Sequence, residues 1–222
     1  MDYRVYAVRI GEGYGLEHET RLEKQLDINW IRDEEEGVAL QWNKLRAFEG
    51  EDCPVVLIDI DLEFMNDYKD LFELPVKRGE FLTTKNWYGQ DNPTAIHYKI
   101  AGGFYKFWPE DTKYILDTFR KDKQYWQNHY IAEGITCGPV NGEMNFVEDC
   151  VRGRIGATPL KMKFVPDAWH TKWKDKPEKE YIYHMSKLYD NEYLWLGDFH
   201  PDIKLVHYQQ GKDLPHHQEP WS

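Results

Sequence analysis

The chain has 222 residues, 39 of them acidic against 28 basic, for a formal net charge of −11. That balance argues against partners such as nucleic acid or an anionic membrane, which need a basic face. With 41% hydrophobic residues and no apolar run near the length of a bilayer span, it reads as a folded, soluble chain with no membrane span, forming a single domain over residues 1–222.

Residues 3–10 (YRVYAVRI) predict a first strand, followed at once by the glycine-rich turn GEGYG at residues 11–15. Glycine lets a backbone approach a ligand closely, but the spacing is not G-x-G-x-x-G and no apolar helix follows directly, so a dinucleotide-binding turn is not expected. Residues 17–26 predict a charged surface helix. Trp30 and Ile31 suggest a short second strand before an acidic loop at residues 33–36. Val38, Trp42 and Leu45 share one helical face between Gly37 and Gly50, a start and a stop. This helix carries Lys44 and Arg46, by default solvated charges and on the alternative reading contacts to phosphate or nucleotide.

Residues 54–64 (PVVLIDIDLEF) form the most informative stretch. Val55, Val56, Leu57 and Ile58 predict a strand buried on both faces. It runs into Asp59 and Asp61, which as residues two apart on a strand would present their carboxylates to one side. Ligands of open α/β sheets bind at that carboxyl end. Two acids there repel unless a cation lies between them, and hard divalent ions such as Mg²⁺ and Mn²⁺ prefer oxygen ligands and bridge to phosphates. A metal-assisted phosphate or diphosphate site follows. The competing reading is an acidic strand end and nothing more.

Downstream, residues 66–74 predict a helix and 79–84 a strand. Residues 98–108 (YKIAGGFYKFW) form an aromatic strand with a bulge or kink at Gly102 and Gly103. Pro109 opens a helix reaching about residue 120, with Tyr114, Ile115 and Phe119 spaced for burial. Residues 142–151 (GEMNFVEDCV) predict another helix bearing Glu143, Glu148 and Asp149; an acid in a first turn is ordinarily dipole compensation. Residues 160–165 and 204–207 are late strands, and residues 211–222 are a polar tail with a His216–His217 pair. Alternating strands and helices without repeats or linkers give an α/β domain.

Three cysteines, Cys53, Cys137 and Cys150, are odd in number and lack metal-finger spacing, so reduced thiols of a cytoplasmic protein are expected. Residues 1–10 interleave Asp2, Arg4 and Arg9 with apolar positions, unlike a secretory signal. Most of the nine Trp and fifteen Tyr are expected to fill the core and its boundary rather than to stack on sugars.

Taken in order, AVRIGEGYG, the helix with Lys44, IDID, IAGGFYKF, GEMNFVED and VHYQQGK resemble the parts of a nucleotide-sugar glycosyltransferase of the GT-A fold, a small member similar to the retaining, glycogenin-like and galactosyltransferase group. The resemblance implies a Rossmann-like domain with a central, mostly parallel mixed sheet flanked by helices. It implies a hexosyltransferase that moves a sugar from a UDP-sugar, UDP-glucose or UDP-galactose, to an unknown carbohydrate or other hydroxyl acceptor, with retention. By the same resemblance IDID is the DxD motif: Asp61 and more loosely Asp59 hold the ion, with His207 as third ligand, and an imidazole tilts the choice to Mn²⁺ over Mg²⁺. Asp61 and Glu143 are then the catalytic pair, Glu143 facing the acceptor hydroxyl. Ala7, Val8 and Arg9 line the base and ribose pocket, with Asp59 and Ile60 reaching the ribose. Gly102 and Gly103 admit sugar and acceptor, and Gly211 and Lys212 close over the diphosphate. The chain departs from the family pattern in the C-terminal motif, where Gly211 lies four after His207 and Lys212 follows at once, and in reading EMN where an acceptor segment like DQD is expected.

Two other readings compete. An aspartyl-phosphate phosphohydrolase also writes a hydrophobic strand before DxD, but normally on the first strand and with Thr or Val where this chain has Glu63. A non-catalytic nucleotide-sugar binding module would bind the donor without consuming it.

Overall fold

The computed structural model describes residues 2–50, 52–85, 99–132, 142–156, 158–173, 202 and 204–208. Its centre is a six-stranded sheet in the order β2-β1-β3-β6-β5-β7, built from β1 (Arg4–Val8), β2 (Ile28–Ile31), β3 (Val55–Ile58), β5 (Glu80–Lys85), β6 (Ile100–Phe107) and β7 (Lys161–Phe164). β1 runs parallel to β2 and β3, and β5 parallel to β7, while β6 alone is antiparallel to its neighbours β3 and β5. The expected mostly parallel mixed sheet is present. A second, three-stranded sheet has the order β4-β9-β8, from β4 (Leu62–Phe64), β8 (His170–Trp173) and β9 (Leu205–Tyr208).

Successive residues of a strand face opposite sides, so β3 must be apolar at every position if both faces are covered. Val55, Val56, Leu57 and Ile58 are all buried. Val55 and Leu57 join a core with Trp42, Phe48, Phe81, Phe107, Phe119 and Phe146. Val56 and Ile58 join a second core with Leu22, Leu71, Phe72, Phe104, Phe64 and Leu205, so the small sheet packs into this face. Helix α3 (Pro109–Lys121) buries Thr112, Ile115, Leu116 and Phe119, the stripe expected of an amphipathic helix. Its Phe119 ring stacks on Trp42 at 5.2 Å.

Several expectations are corrected. The strand predicted at Val55–Ile58 is β3 with those bounds, but it does not continue through the aspartates: residues 59–61 turn, and the chain resumes as β4 in the other sheet. Asp59 and Asp61 therefore do not lie two apart along one strand. The helix predicted between Gly37 and Gly50 is a 3-10 helix, Leu40–Phe48, and its buried Trp42, Leu45 and Phe48 recur every three residues, which is that helix's own period. Of residues 66–74 only α2 (Lys69–Glu73) is helical, because Asn66 takes a left-handed φ of 51°. The charged helix is α1 (Leu16–Glu23), which buries Glu19 between Arg9 and Arg32 instead of exposing all its charges. Helix α4 (Lys123–Ala132) and strand β8 were not anticipated, since KQYWQNHYIA and HTKW carry neither a clean apolar period nor an apolar run. Cys53 and Cys150 are free thiols, and Cys137 lies outside the described residues, as do residues 209–222. Among the described residues, no helix is long and apolar enough to cross a membrane.

Two of the acids on helix α5 (Glu143–Val151) are structural. Asp149 accepts from the Tyr130 hydroxyl at 2.8 Å and pairs with Arg154 at 2.6 Å. Glu148, fully buried, accepts from the backbone N–H of Lys99 (2.6 Å) and Ile100 (2.9 Å) and from Arg152 (2.6 Å), clamping α5 to the start of β6. Glu148→Ala strands the buried Ile100 amide, worth about 1–3 kcal/mol when unsatisfied, and loosens the part-buried Lys99 amide, so we expect urea unfolding to report a loss of about 2 kcal/mol. An unchanged midpoint would remove the clamp from the account of the fold.

Candidate metal and substrate site

Two strand registers assemble the site. Ile58 pairs with Phe104 across β3 and β6, and the next amide, Asp59 N–H, donates to Gly103 C=O at 3.0 Å, so the end of β3 lies against the paired glycines. In the small sheet Leu62 pairs with His207, which brings an imidazole from late in the chain beside the turn at residues 59–61. Glycine is favoured at both positions of the pair, by backbone conformation at Gly102 and by a close neighbour at Gly103. Gly102 has φ +76°, and a methyl there would meet Met144 at 3.1 Å; a methyl at Gly103 would lie 3.0 Å from His207 Nδ1. This irregularity also shifts the β5–β6 register between Thr83 and Lys85.

Asp59, Asp61 and His207 each offer a ligand atom, all within 4.8 Å of one another. His207 Nε2 is 3.3 Å from Asp61 Oδ1 and 4.0 Å from Asp59 Oδ2. Ligands about 2.1 Å from an octahedral ion lie about 3 Å apart when adjacent and about 4 Å when opposite, so these separations suit one divalent cation. Two carboxylates and an imidazole are donors for Mn²⁺ or a similar ion. The imidazole is aimed by its surroundings: Nδ1 is packed over Gly103, with no hydrogen-bond partner among the described residues, while Nε2 faces the acids.

Lys44 ties the rest together. The residue is only 7% exposed, contrary to the default of a solvated helix charge. It contacts Asp59 Oδ1, Glu143 Oε2 at 3.5 Å and the Gly102 carbonyl at 3.4 Å. Burial disfavours its charge, but Asp59 and Glu143 outweigh that and hold its pKa above the ordinary lysine value. Asp59 thus gives one oxygen to Lys44 and turns the other toward His207. Burial also acts against the charge of Asp61, yet His207 and Lys44 keep its carboxyl below the ordinary aspartate range. Glu143 is 3% exposed, and burial pushes its pKa up to about 7 although Lys44 opposes this. Asn145, at the other end of the EMN segment, is buried, and its Oδ1 has no hydrogen-bond partner among the described residues.

Of the remaining expected site residues, Ala7 is fully buried between Ile58 and Trp30, so its side chain belongs to the core. Ile60 is buried and its carbonyl accepts from Arg21 at 3.3 Å. Val8 is half-buried at the end of β1, beside the edge that carries Asp59. Arg9 is held by Glu19 at 2.9 Å and donates to the Gly11 carbonyl at 2.5 Å. Arg46, the other helix cation, bonds Asp33 at the surface. Gly211 and Lys212 lie outside the described residues. A residue the sequence did not flag is Tyr14, whose hydroxyl donates to Asp61 Oδ2 at 3.3 Å. Burial and the acids Asp61 and Asp59 raise its pKa, so the phenol keeps its proton. The signal available was a lone aromatic inside GEGYG, directly after the first strand.

A cavity of about 780 Å³ among the described residues lies elsewhere, at the amino ends of β1, β2 and β3, lined by Tyr3, Arg4, Gln25, Asn29 and Asp52 among others. It shares no residue with the cluster, and the chemistry is placed by the converging ionisable groups.

No protein-family model matches the chain, and no curated protein sequence resembles it. Solved structures do resemble it in fold. The galactosyltransferase LgtC, crystallised with donor and acceptor sugar analogs, superimposes with a TM-score of 0.55 at 9% identity, over 92% of this chain and 86% of that one. The glycosyltransferase GlyE of Streptococcus pneumoniae TIGR4 gives 0.57 at 12% identity, covering 98% of this chain, which spans 57% of GlyE. A glycosyltransferase involved in glycosylation of the major capsid of PBCV-1 gives 0.53 at 12% identity, over 92% of both chains. The fold of this chain is the GT-A-type fold of these glycosyltransferases.

Proposed function

We propose that the chain, acting as one domain over residues 1–222, is a metal-dependent glycosyltransferase. In this reading it moves a hexose, glucose or galactose, from a UDP-sugar to a hydroxyl acceptor with retention. The observation that carries it is the convergence of Asp59, Asp61 and His207 on one point at the carboxyl end of β3, in a fold shared with sugar-transferring enzymes. The sugar analogs bound by LgtC support a donor and an acceptor side. The phosphohydrolase reading loses ground because the acids lie on a turn after the third strand, paired with an imidazole, with no free carboxylate aimed as a nucleophile among the three.

Asp59, Asp61 and His207 would hold a divalent cation, Mn²⁺ in preference to Mg²⁺, which when bound supplies positive charge to a diphosphate leaving group. Lys44 orients Asp59 by contact with its Oδ1. Val8 and Arg9 edge the region assigned to base and ribose, and Gly211 with Lys212 would cover the diphosphate. Gly102 and Gly103 let Met144 and the His207 imidazole pack close to β6, and Glu143, buried beside Lys44, orients the acceptor hydroxyl. Free Cys53 and Cys150 suit the reducing cytoplasm.

Removing one ligand tests the site directly. Asp61→Asn should abolish the Mn²⁺-dependent rise in melting temperature given by UDP or a UDP-sugar, and His207→Ala should weaken Mn²⁺ dependence more than the metal-free melting temperature. A nucleotide shift that survives Asp61→Asn would sink the metal reading. Glu143 gives a pH test. Folded Glu143 titrates at about 7 against 4.5 as the ordinary value, so between these pH values the native state holds a proton the unfolded chain has released. Its contribution to stability therefore falls as pH rises through that window. Glu143→Gln removes the slope: between pH 5 and 7.5 urea unfolding should shift in favour of the variant by about 2 kcal/mol relative to wild type, from about 1.4 kcal/mol per pH unit. Parallel pH profiles would show that Glu143 is not held protonated.

A further inference from the structure

Asp61 has two carboxylate oxygens, and the fold gives them different neighbours. Oδ1 faces His207 Nε2 at 3.3 Å, on the side where the three ligand atoms converge. Oδ2 accepts the Tyr14 hydroxyl at 3.3 Å, from the loop between β1 and α1. That loop is anchored. Arg9 donates to Gly11 C=O at 2.5 Å and is held in turn by Glu19 at 2.9 Å, and His18 N–H returns to Gly15 C=O at 3.3 Å. The Tyr14 ring sits edge-on to His18, with centroids 5.1 Å apart and an interplanar angle of 78°, and His18 is itself 1% exposed. The phenol is therefore seated by packing rather than swinging from a free loop, and it reaches Asp61 across 47 residues of sequence.

We infer that Tyr14 is the positioning residue for Asp61: by occupying Oδ2 it fixes the carboxylate plane so that only Oδ1 is presented to the ion, in monodentate fashion, beside His207. The inference rests on the metal-dependent reading above. A carboxylate free to rotate about its last bond must be ordered when the ion arrives; a hydrogen bond to its outer oxygen does that ordering in advance, and outer-shell partners of this kind typically account for 10–100-fold in metal affinity. The same bond makes the loop that leaves the proposed base-binding strand a direct neighbour of the ion. Loop position and metal occupancy are then coupled, and the coupling acts equally in both directions.

Tyr14→Phe removes only the hydroxyl and keeps the ring on His18. Mn²⁺ binding, read from the free-ion signal in electron paramagnetic resonance, should weaken about tenfold in the variant while the metal-free melting temperature stays that of wild type. An unchanged Mn²⁺ affinity would overturn the assignment. So would weaker binding accompanied by a matching fall in metal-free melting temperature, because the phenol would then be supporting the fold and not aiming Asp61. Absence of Mn²⁺ binding in wild type itself would instead remove the metal reading on which the assignment stands, and the two failures are told apart by the wild-type titration.

Discussion

A buried lysine, Lys44, is the constraint on which the site depends. Taking an ammonium out of water costs several kcal/mol unless partners replace its hydration, and removing one partner of a buried pair typically costs about 3–5 kcal/mol. Lys44 meets that requirement from three separate elements: Asp59 at the end of β3, the Gly102 carbonyl within β6, and Glu143 at the start of α5. None of the three can drift without leaving a charge uncompensated. The 3-10 helix that carries Lys44 is fixed from behind by Trp42, Leu45 and Phe48, so the cation is delivered by the core. Geometry near the carboxyl end of β3 is consequently over-determined before any ligand is considered.

The same lysine divides the acids. His207 and Lys44 hold the Asp61 carboxyl below the ordinary aspartate range, whereas Glu143, sharing Lys44 with Asp59, is pushed toward neutrality by burial. Two carboxyl groups within one small region are thus pushed in opposite directions, Asp61 down and Glu143 up. Environment sets this division, since an Asp and a Glu differ little in water.

How much of this was legible in the sequence varied with the range of the interaction. The buried strand at Val55–Ile58 announced itself through four consecutive aliphatic residues, and the Asp pair followed from its position beyond them. The helix after Pro109 was equally plain. What the sequence did not disclose was the turn at residues 59–61, because β3 and β4 together look like one long apolar strand; only the small sheet, whose other strands come from residues 170–173 and 205–208, separates them. His207 could be reached only through resemblance, as a lone histidine in a short strand carries no local signature. Lys44 looked like any solvated helix charge, since local sequence cannot report what arrives from α5 to bury it. Tyr14 was hidden for the same reason: its partner lies on another element.

The pairing of Leu62 with His207 has a consequence for how the molecule is made. β4 is synthesised early but finds its ladder partner in β9, the last described strand, so the small sheet can close only after most of the chain has left the ribosome. Pairings of such long range form slowly, because loop-closure entropy must be overcome before the contact stabilises anything. Until then the nascent chain carries both aspartates without their imidazole. On the proposed reading, the three candidate ligands come together only once β9 has paired with β4.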